Sequence, residues 1–90
     1  MEIIRKDDRY EATVPGGTAF IEYHLKPGRI VLVHTEVPHE SEGHGIGDQL
    51  VRFVLDDARA RGLAVVPLCP FVSAWIERHP DYKELIKASG

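Results

Sequence analysis

A run of alternating glycines carries the residue spacing with the clearest chemical meaning in this sequence. The glycines are Gly43, Gly45 and Gly47, and apolar residues at helical spacing follow them directly. Successive glycines allow backbone N–H groups to turn toward one point, and a helix that starts there adds unpaired N–H groups and the positive end of its dipole. Such a loop binds phosphate without a basic side chain. The spacing therefore predicts a phosphate site, and the alternative is a flexible loop followed by an ordinary helix start.

Two common phosphate-binding loops do not match this segment. A P-loop needs Gly-Lys-Ser/Thr after its spacer, whereas here Gly47 is followed by Asp48 and Gln49. A dinucleotide-binding fingerprint needs a different glycine spacing and an all-parallel sheet, and a 90-residue chain is too short for that fold. The loop therefore matches neither of these two classes, and the alternative of a flexible loop stays open at this point.

Three other side chains have the chemistry of group transfer. His34 could act as a general base, since its ordinary pKa lies near neutrality, and Glu36 could relay a proton. Both are expected on one strand face together with Leu32. Cys69 could accept an acyl group, because a helix predicted to start near residue 71 would favour its thiolate. The structural alternatives are a half-buried strand histidine for His34, a surface ion pair for Glu36 and a small buried hydrophobic residue for Cys69.

A metal site is not predicted. His34, His39 and His44 recur every five residues across a strand and a loop, which gives no single facing set of ligands. The single cysteine supplies no Cys pair to support them. We therefore expect no bound metal.

Composition excludes several classes of function. Eleven Lys and Arg against 14 Asp and Glu give a net charge of -3, so the basic excess of a nucleic-acid-binding domain is missing. One cysteine cannot form an internal disulfide, which indicates a reducing compartment. No apolar stretch reaches the length of a signal peptide or a membrane span. The expected location is the cytoplasm, without a membrane partner.

Hydrophobic periodicity indicates the elements that must position these residues. Period-two alternation and β-branched residues predict strands, and spacing of three and four predicts helices. The predicted strands are residues 9–14, 18–25, 29–37 and 64–69, and the predicted helices run from residue 46 to the stop at Gly62 and over residues 71–78. Tyr82, Leu85 and Ile86 predict a closing helical turn, and Trp75 and Tyr82 are expected in the core. Pro67 indicates an edge strand or a bulge.

These elements define an α+β fold in a single domain spanning residues 1–90. Tight turns at residues 15–17 and 26–28 join three antiparallel strands into a meander. The strand–helix–strand unit over residues 29–69 is a right-handed crossover, which places the last strand parallel to the third. The second helix closes the structure.

The loop residues resemble a known motif. Residues 42–47, Glu-Gly-His-Gly-Ile-Gly, are similar to the acetyl-CoA loop of the GNAT N-acetyltransferase superfamily, Gln/Arg-x-x-Gly-x-Gly/Ala. Val37 and Pro38 stand where that superfamily ends its pantetheine-binding strand. The segments at residues 34–37, 67–72 and 79–82 resemble very small, single-domain members of the superfamily.

The resemblance implies acetyl-CoA as cofactor. The pyrophosphate of coenzyme A is then expected on the N–H groups of residues 43–47, and the pantetheine arm between Glu36 or Val37 and the parallel strand that ends at Cys69. The implied cofactor contacts are Val37, Glu42, Gly43, His44, Gly45, Ile46 and Gly47. Glu42 departs from the usual Gln or Arg, and His44 stands where Lys is frequent.

Two larger departures concern the acceptor. The superfamily's tyrosine acid has no clear counterpart in the second helix, and the two helices that shape the acceptor site are replaced by the turn at residues 15–17. The implied function is acetyl transfer to an amine, on a macromolecule such as a protein, with Cys69, His34 and Glu36 as candidate catalytic residues. The alternatives are a coenzyme A-binding or interaction module without turnover, and a scaffold domain. Monomer and homodimer both remain open.

Overall fold

A computed structural model describes residues 1–86, in which a sheet of five strands is covered by helices. The strands are β1 (Ile4–Arg5), β2 (Arg9–Val14), β3 (Gly17–Lys26), β4 (Arg29–Glu36) and β5 (Ala64–Pro67). The α-helices are α1 (Ile46–Ala60) and α2 (Pro70–Arg78), and two short 3-10 helices cover His39–Ser41 and Pro80–Leu85. None of the helices in this part of the chain is long and apolar enough to cross a bilayer.

The sheet confirms the predicted α+β class and the crossover. Its strand order is β1-β2-β3-β4-β5, with antiparallel pairs throughout except for the parallel pair β4–β5. The two-residue strand β1 was not predicted, because Ile4 and Arg5 are both exposed and show no alternation. The meander therefore has four antiparallel strands rather than three.

One face of the sheet carries the core. Successive strand residues alternate between this buried face and the opposite one, so residues two apart share a face. The buried strand residues are Tyr10, Ala12, Val14, Ala19, Ile21, Tyr23, Ile30, Leu32 and Val65. Helices α1 and α2 add Leu50, Val51, Val54, Leu55, Ala58, Val72, Trp75 and Ile76 to the same cluster. Within residues 1–86, the opposite face bears no helix, and we call it the open face.

A β-bulge at Val33 decides which side chains face the helices. Glu22 pairs with His34, but the next residue of β3, Tyr23, pairs with Leu32, so Val33 has no partner. The extra residue reverses the alternation beyond it. Leu32 is buried under the helices, whereas His34 is exposed on the open face. The prediction that Leu32, His34 and Glu36 share one face was therefore wrong.

The parallel pair ends where the two strands separate. Strand β5 lies at the edge of the sheet, as Pro67 predicted, and its pairing with β4 stops at Leu32 and Pro67. The last contact is the hydrogen bond from the N–H of Cys69 to the carbonyl of Leu32, 2.9 Å long. Because β4 continues to Glu36, an opening forms beside its last four residues.

Candidate functional site

A turn of the β2–β3 hairpin supports the glycine loop from below. Pro38 introduces the 3-10 helix His39–Ser41, and Ser41 is the buried polar residue of this region, only 1% exposed. The Ser41 hydroxyl donates a hydrogen bond of 2.5 Å to the carbonyl of Pro15. The short turn between β2 and β3 therefore anchors the start of the loop.

Glycine is required in the loop for its backbone conformation. Gly43 and Gly45 have φ values of 82° and 73°, in the left-handed region that other residues avoid. Gly45 is also the N-cap of α1 and has no side chain to cap the helix. The N–H groups of the first turn therefore have no intrahelical acceptor and point out of the helix end.

These N–H groups border a cavity of about 360 Å³. Six of the seven residues predicted to contact the cofactor line it: Val37, Glu42, Gly43, Gly45, Ile46 and Gly47. His44, the seventh, is exposed and is not part of the lining. Most of the residues predicted to contact the cofactor therefore line one cavity.

Phe71 forms a wall of the cavity that the sequence did not reveal. A Cβ atom on Gly47 would stand 2.7 Å from Cζ of Phe71, so the ring packs directly on the glycine. The neighbouring Val72 is buried, whereas Phe71 is 42% exposed at the cavity. Gly47 was a sequence signal for this contact, because a glycine inside a helix often marks a place where another residue approaches the backbone closely.

Two carboxylates line the cavity, and both are engaged by donors. Asp48 accepts a 2.7 Å hydrogen bond from the indole N–H of Trp75, whose ring stacks on His79 at 3.7 Å. Glu42 lies 3.1 Å from Nδ1 of His39. The engagement of Glu42 outside the loop reduces its repulsion of an anion bound there.

Cys69 lies on the helix side of the opening. Its Sγ is 3.2 Å from Oγ1 of Thr35, a residue that also lines the cavity and that sequence reasoning missed because the bulge exchanged it with His34. Cys69 is the N-cap residue of α2 and is 3% exposed. The thiol is therefore close to the cavity and shielded from bulk water.

His34 and Glu36 lie together on the open face. Nε2 of His34 is 2.9 Å from Oε2 of Glu36, and the two side chains are 51% and 61% exposed. The ring of Phe20 packs edge-on against His34 at 6.2 Å. The structure therefore pairs these two candidates but separates them from Cys69 by the thickness of the sheet.

Trp75 of α2 and Tyr82 of the closing 3-10 helix are core residues, as predicted. Trp75 and Tyr82 are 1% and 6% exposed. Burial raises the pKa of Tyr82, and so does the hydrogen bond of 2.9 Å that its hydroxyl donates to Asp56. That hydroxyl points to α1 rather than into the cavity. In the part of the chain that the structure describes, no three His, Cys, Asp or Glu side chains form a metal-binding group.

A glycine loop at a helix start, beside parallel strands that separate, defines an acyltransferase-like α+β protein. The chain belongs to the GCN5-related N-acetyltransferase family, whose model matches residues 9–85. A GCN5-like protein from Staphylococcus aureus, solved in solution by NMR, has the same fold with a TM-score of 0.77. It is 24% identical, and the match covers 99% of this chain and 90% of that one.

Proposed function

We propose that this protein is an acetyl-CoA-dependent N-acetyltransferase of the cytoplasm that acts on a primary amine of a macromolecule. The observation that carries the proposal is the position of the cavity. It extends from the N–H groups at the start of α1 to Thr35, in the part of β4 that lies beyond its pairing with β5. A cofactor with a phosphate end and a long arm fits that shape.

The residues present suit coenzyme A. The N–H groups around Gly45 and Gly47 would hold the pyrophosphate, because they lack acceptors and share the positive end of the helix. Val37 and Phe71 give an apolar wall for the pantetheine arm. Bound acetyl-CoA supplies an activated acyl group as a thioester.

The His34–Glu36 pair would remove the proton of the attacking amine. If Glu36 accepts the Nε2–H of His34, the Nδ1 atom of the ring is left as a proton acceptor. Glu36 then stabilises the imidazolium that forms. Both groups are exposed on the open face, from which an amine can approach the gap between the strands.

Cys69 offers a second route. Its Sγ would attack the acyl carbon, form a new S–C bond as the cofactor thiolate departs, and then pass the acyl group to the amine. The thiol proton of Cys69 would pass to the departing cofactor thiolate, and Thr35 would hold the sulfur by its 3.2 Å contact. Cys69→Ala with unchanged acetyl transfer would exclude this route and leave direct attack.

The cofactor site is tested with two matched glycine variants. Gly45 and Gly28 have φ values of 73° and 75°, and a Cβ at either position meets nothing within 4 Å. Alanine should therefore cost each variant about 1 kcal/mol of folding free energy. Only Gly45→Ala should weaken acetyl-CoA binding, by about tenfold in calorimetry, since it alters the start of α1. Equal affinities of the two variants would contradict the proposed site.

Turnover is tested by release of free thiol from acetyl-CoA in the presence of lysine-containing peptides. We expect His34→Ala to slow this release by about 100-fold, the lower range for loss of a general base. Its acetyl-CoA affinity should remain that of the wild type, because His34 lies outside the cavity. A combined loss of affinity and turnover would argue for a structural effect.

One observation favours a coenzyme A-binding module without turnover. The departing thiolate needs a proton, yet the hydroxyl of Tyr82 and the indole of Trp75 are engaged by Asp56 and Asp48. Binding of acetyl-CoA without thiol release from any amine would support this second candidate.

A further inference from the structure

The open face carries an arrangement of charges that the proposed function does not yet use. At the β3–β4 hairpin tip, Lys26 and Arg29 are directly opposite each other. Like charges in such cross-strand pairs destabilise a sheet. No carboxylate among residues 1–86 forms an ion pair with either of them.

A groove lies between these cations and the edge strand. It has a volume of about 540 Å³, with an apolar floor formed by Val31, Val66 and Leu68. Lys26 and Arg29 line it together with His24. An anionic group joined to an apolar chain would therefore meet complementary chemistry here.

Negative charge predominates at the other end of the open face, beside the last residues of β4. Glu22 faces His34 across the strands, and Glu36 faces Phe20. Glu36 is engaged only by His34, and Glu22 forms no ion pair within the described residues. A cationic amine is therefore favoured at this end, next to the proposed base. Asp7 and Asp8 line a separate cavity together with Glu22 and Lys26, so they are not confined to this end.

Strand geometry fixes the distance between the two ends. Glu22 and Lys26 lie on the same face of β3, four residues apart. At about 3.3 Å per residue this separation is about 13 Å. A bound peptide in extended conformation covers the same distance in about four residues.

We propose that the acceptor is an extended protein segment in which an acidic side chain lies about four residues from the acetylated lysine. This inference rests on the proposed function. The lysine amine lies at Glu22, His34 and Glu36, and the acidic side chain lies between Lys26 and Arg29. The apolar groove beside Lys26 and Arg29 then holds apolar side chains of the same segment.

The test compares short synthetic peptides with a single lysine and either aspartate or asparagine about four residues away, on either side. Thiol release gives kcat/KM for each. We expect one aspartate peptide to be preferred by about threefold to fivefold, the range of exposed ion pairs. The preference should shrink at about 0.5 M salt, where charges are screened within about 4 Å. Equal kcat/KM values for aspartate and asparagine peptides would overturn the proposal.

A charge-reversed variant, Lys26→Glu with Arg29→Glu, should lose this preference and favour a peptide with arginine at the acidic position. The matched control is Arg78→Glu with Lys83→Glu, which changes the net charge equally on exposed residues remote from the open face. The control should retain the wild-type preference. Loss of preference in both variants would show that net charge, and not the hairpin tip, discriminates the peptides.

Peptide binding is also measured without turnover, by backbone NMR shifts in the presence of saturating coenzyme A. The aspartate peptide should shift the signals of residues 22–29, and the asparagine peptide should do so less. Such shifts without thiol release would support the docking surface and reject the acetyltransferase activity. Thiol release without selective shifts would support the acetyltransferase activity and reject the docking surface.

Discussion

Replacing Gly47 by alanine should separate ligand binding from folding. The new Cβ would stand 2.7 Å from Cζ and 3.2 Å from Cε2 of Phe71, whereas carbon atoms in contact prefer about 3.5–4.0 Å. The ring must therefore move by about 1 Å. Phe71 is 42% exposed and its ring is the free end of a flexible side chain, so it can swing toward solvent.

The expected effect on stability is small. Alanine improves helix propensity by up to about 1 kcal/mol, which offsets the cost of moving the ring. We expect the free energy of unfolding to change by less than about 1 kcal/mol, measured in urea by the fluorescence of Trp75, the single tryptophan. A loss above about 2 kcal/mol would show that the ring cannot move, and would refute this reasoning.

The expected effect on binding is larger. Displacing Phe71 removes an aromatic wall of the cavity, and loss of about 1 kcal/mol of aromatic contact corresponds to about fivefold weaker coenzyme A binding. In a Phe71→Ala background the same Gly47→Ala change should have no further effect, because the displaced ring is already absent. Additive losses in calorimetry would show that the alanine acts independently of Phe71.

Three further outcomes follow from individual contacts. Burial and the 2.5 Å hydrogen bond to Asp57 raise the pKa of Tyr10 to about 12, so ionisation is harder in the folded state. The wild type should lose about 2 kcal/mol of stability as the pH rises from 10 toward 12, and Tyr10→Phe should lack this decline in urea titrations. Ser41→Ala should destabilise the chain by about 1 kcal/mol, because it removes the hydrogen bond that the buried Ser41 hydroxyl donates to the carbonyl of Pro15, and it should weaken coenzyme A binding. Asp48→Asn should keep the Trp75 hydrogen bond and bind coenzyme A severalfold more tightly in calorimetry, because it removes a negative charge from the cavity; unchanged affinity would place Asp48 away from the phosphates.

Periodicity predicted the fold well because burial here is one-sided. Strand β2 and residues 18–24 of β3 alternate between the core and the open face, and α1 has one apolar stripe. Strand β1 escaped prediction for the same reason, since neither of its residues is buried. Its pairing with β2 depends on backbone hydrogen bonds, which leave no pattern in residue types.

The candidate site was predictable where backbone conformation demands a particular residue. Gly43 and Gly45 have positive φ values, and this requirement made the loop visible. The contribution of Phe71 depends on a contact with Gly47 across two helices, which local spacing does not encode. Thr35 was missed because its face depends on a bulge within a β-branched run.

That bulge has a consequence for the proposed chemistry. Without the bulge, that is with Val33 paired as an ordinary strand residue, strict alternation from Leu32 would turn His34 and Glu36 toward the helices, on the side of Cys69 and the cavity. With it, Thr35 takes that side, and the His34–Glu36 pair faces the open side of the sheet. A single unpaired residue therefore divides β4 between two tasks, with the proposed cofactor surface on one face and the proposed proton acceptor on the other. Deleting Val33 should give regular pairing, with Leu32 opposite Tyr23 and His34 still opposite Glu22 on the open face. A folded deletion variant should therefore keep thiol release, and loss of thiol release in that variant would contradict the assigned role of the open face.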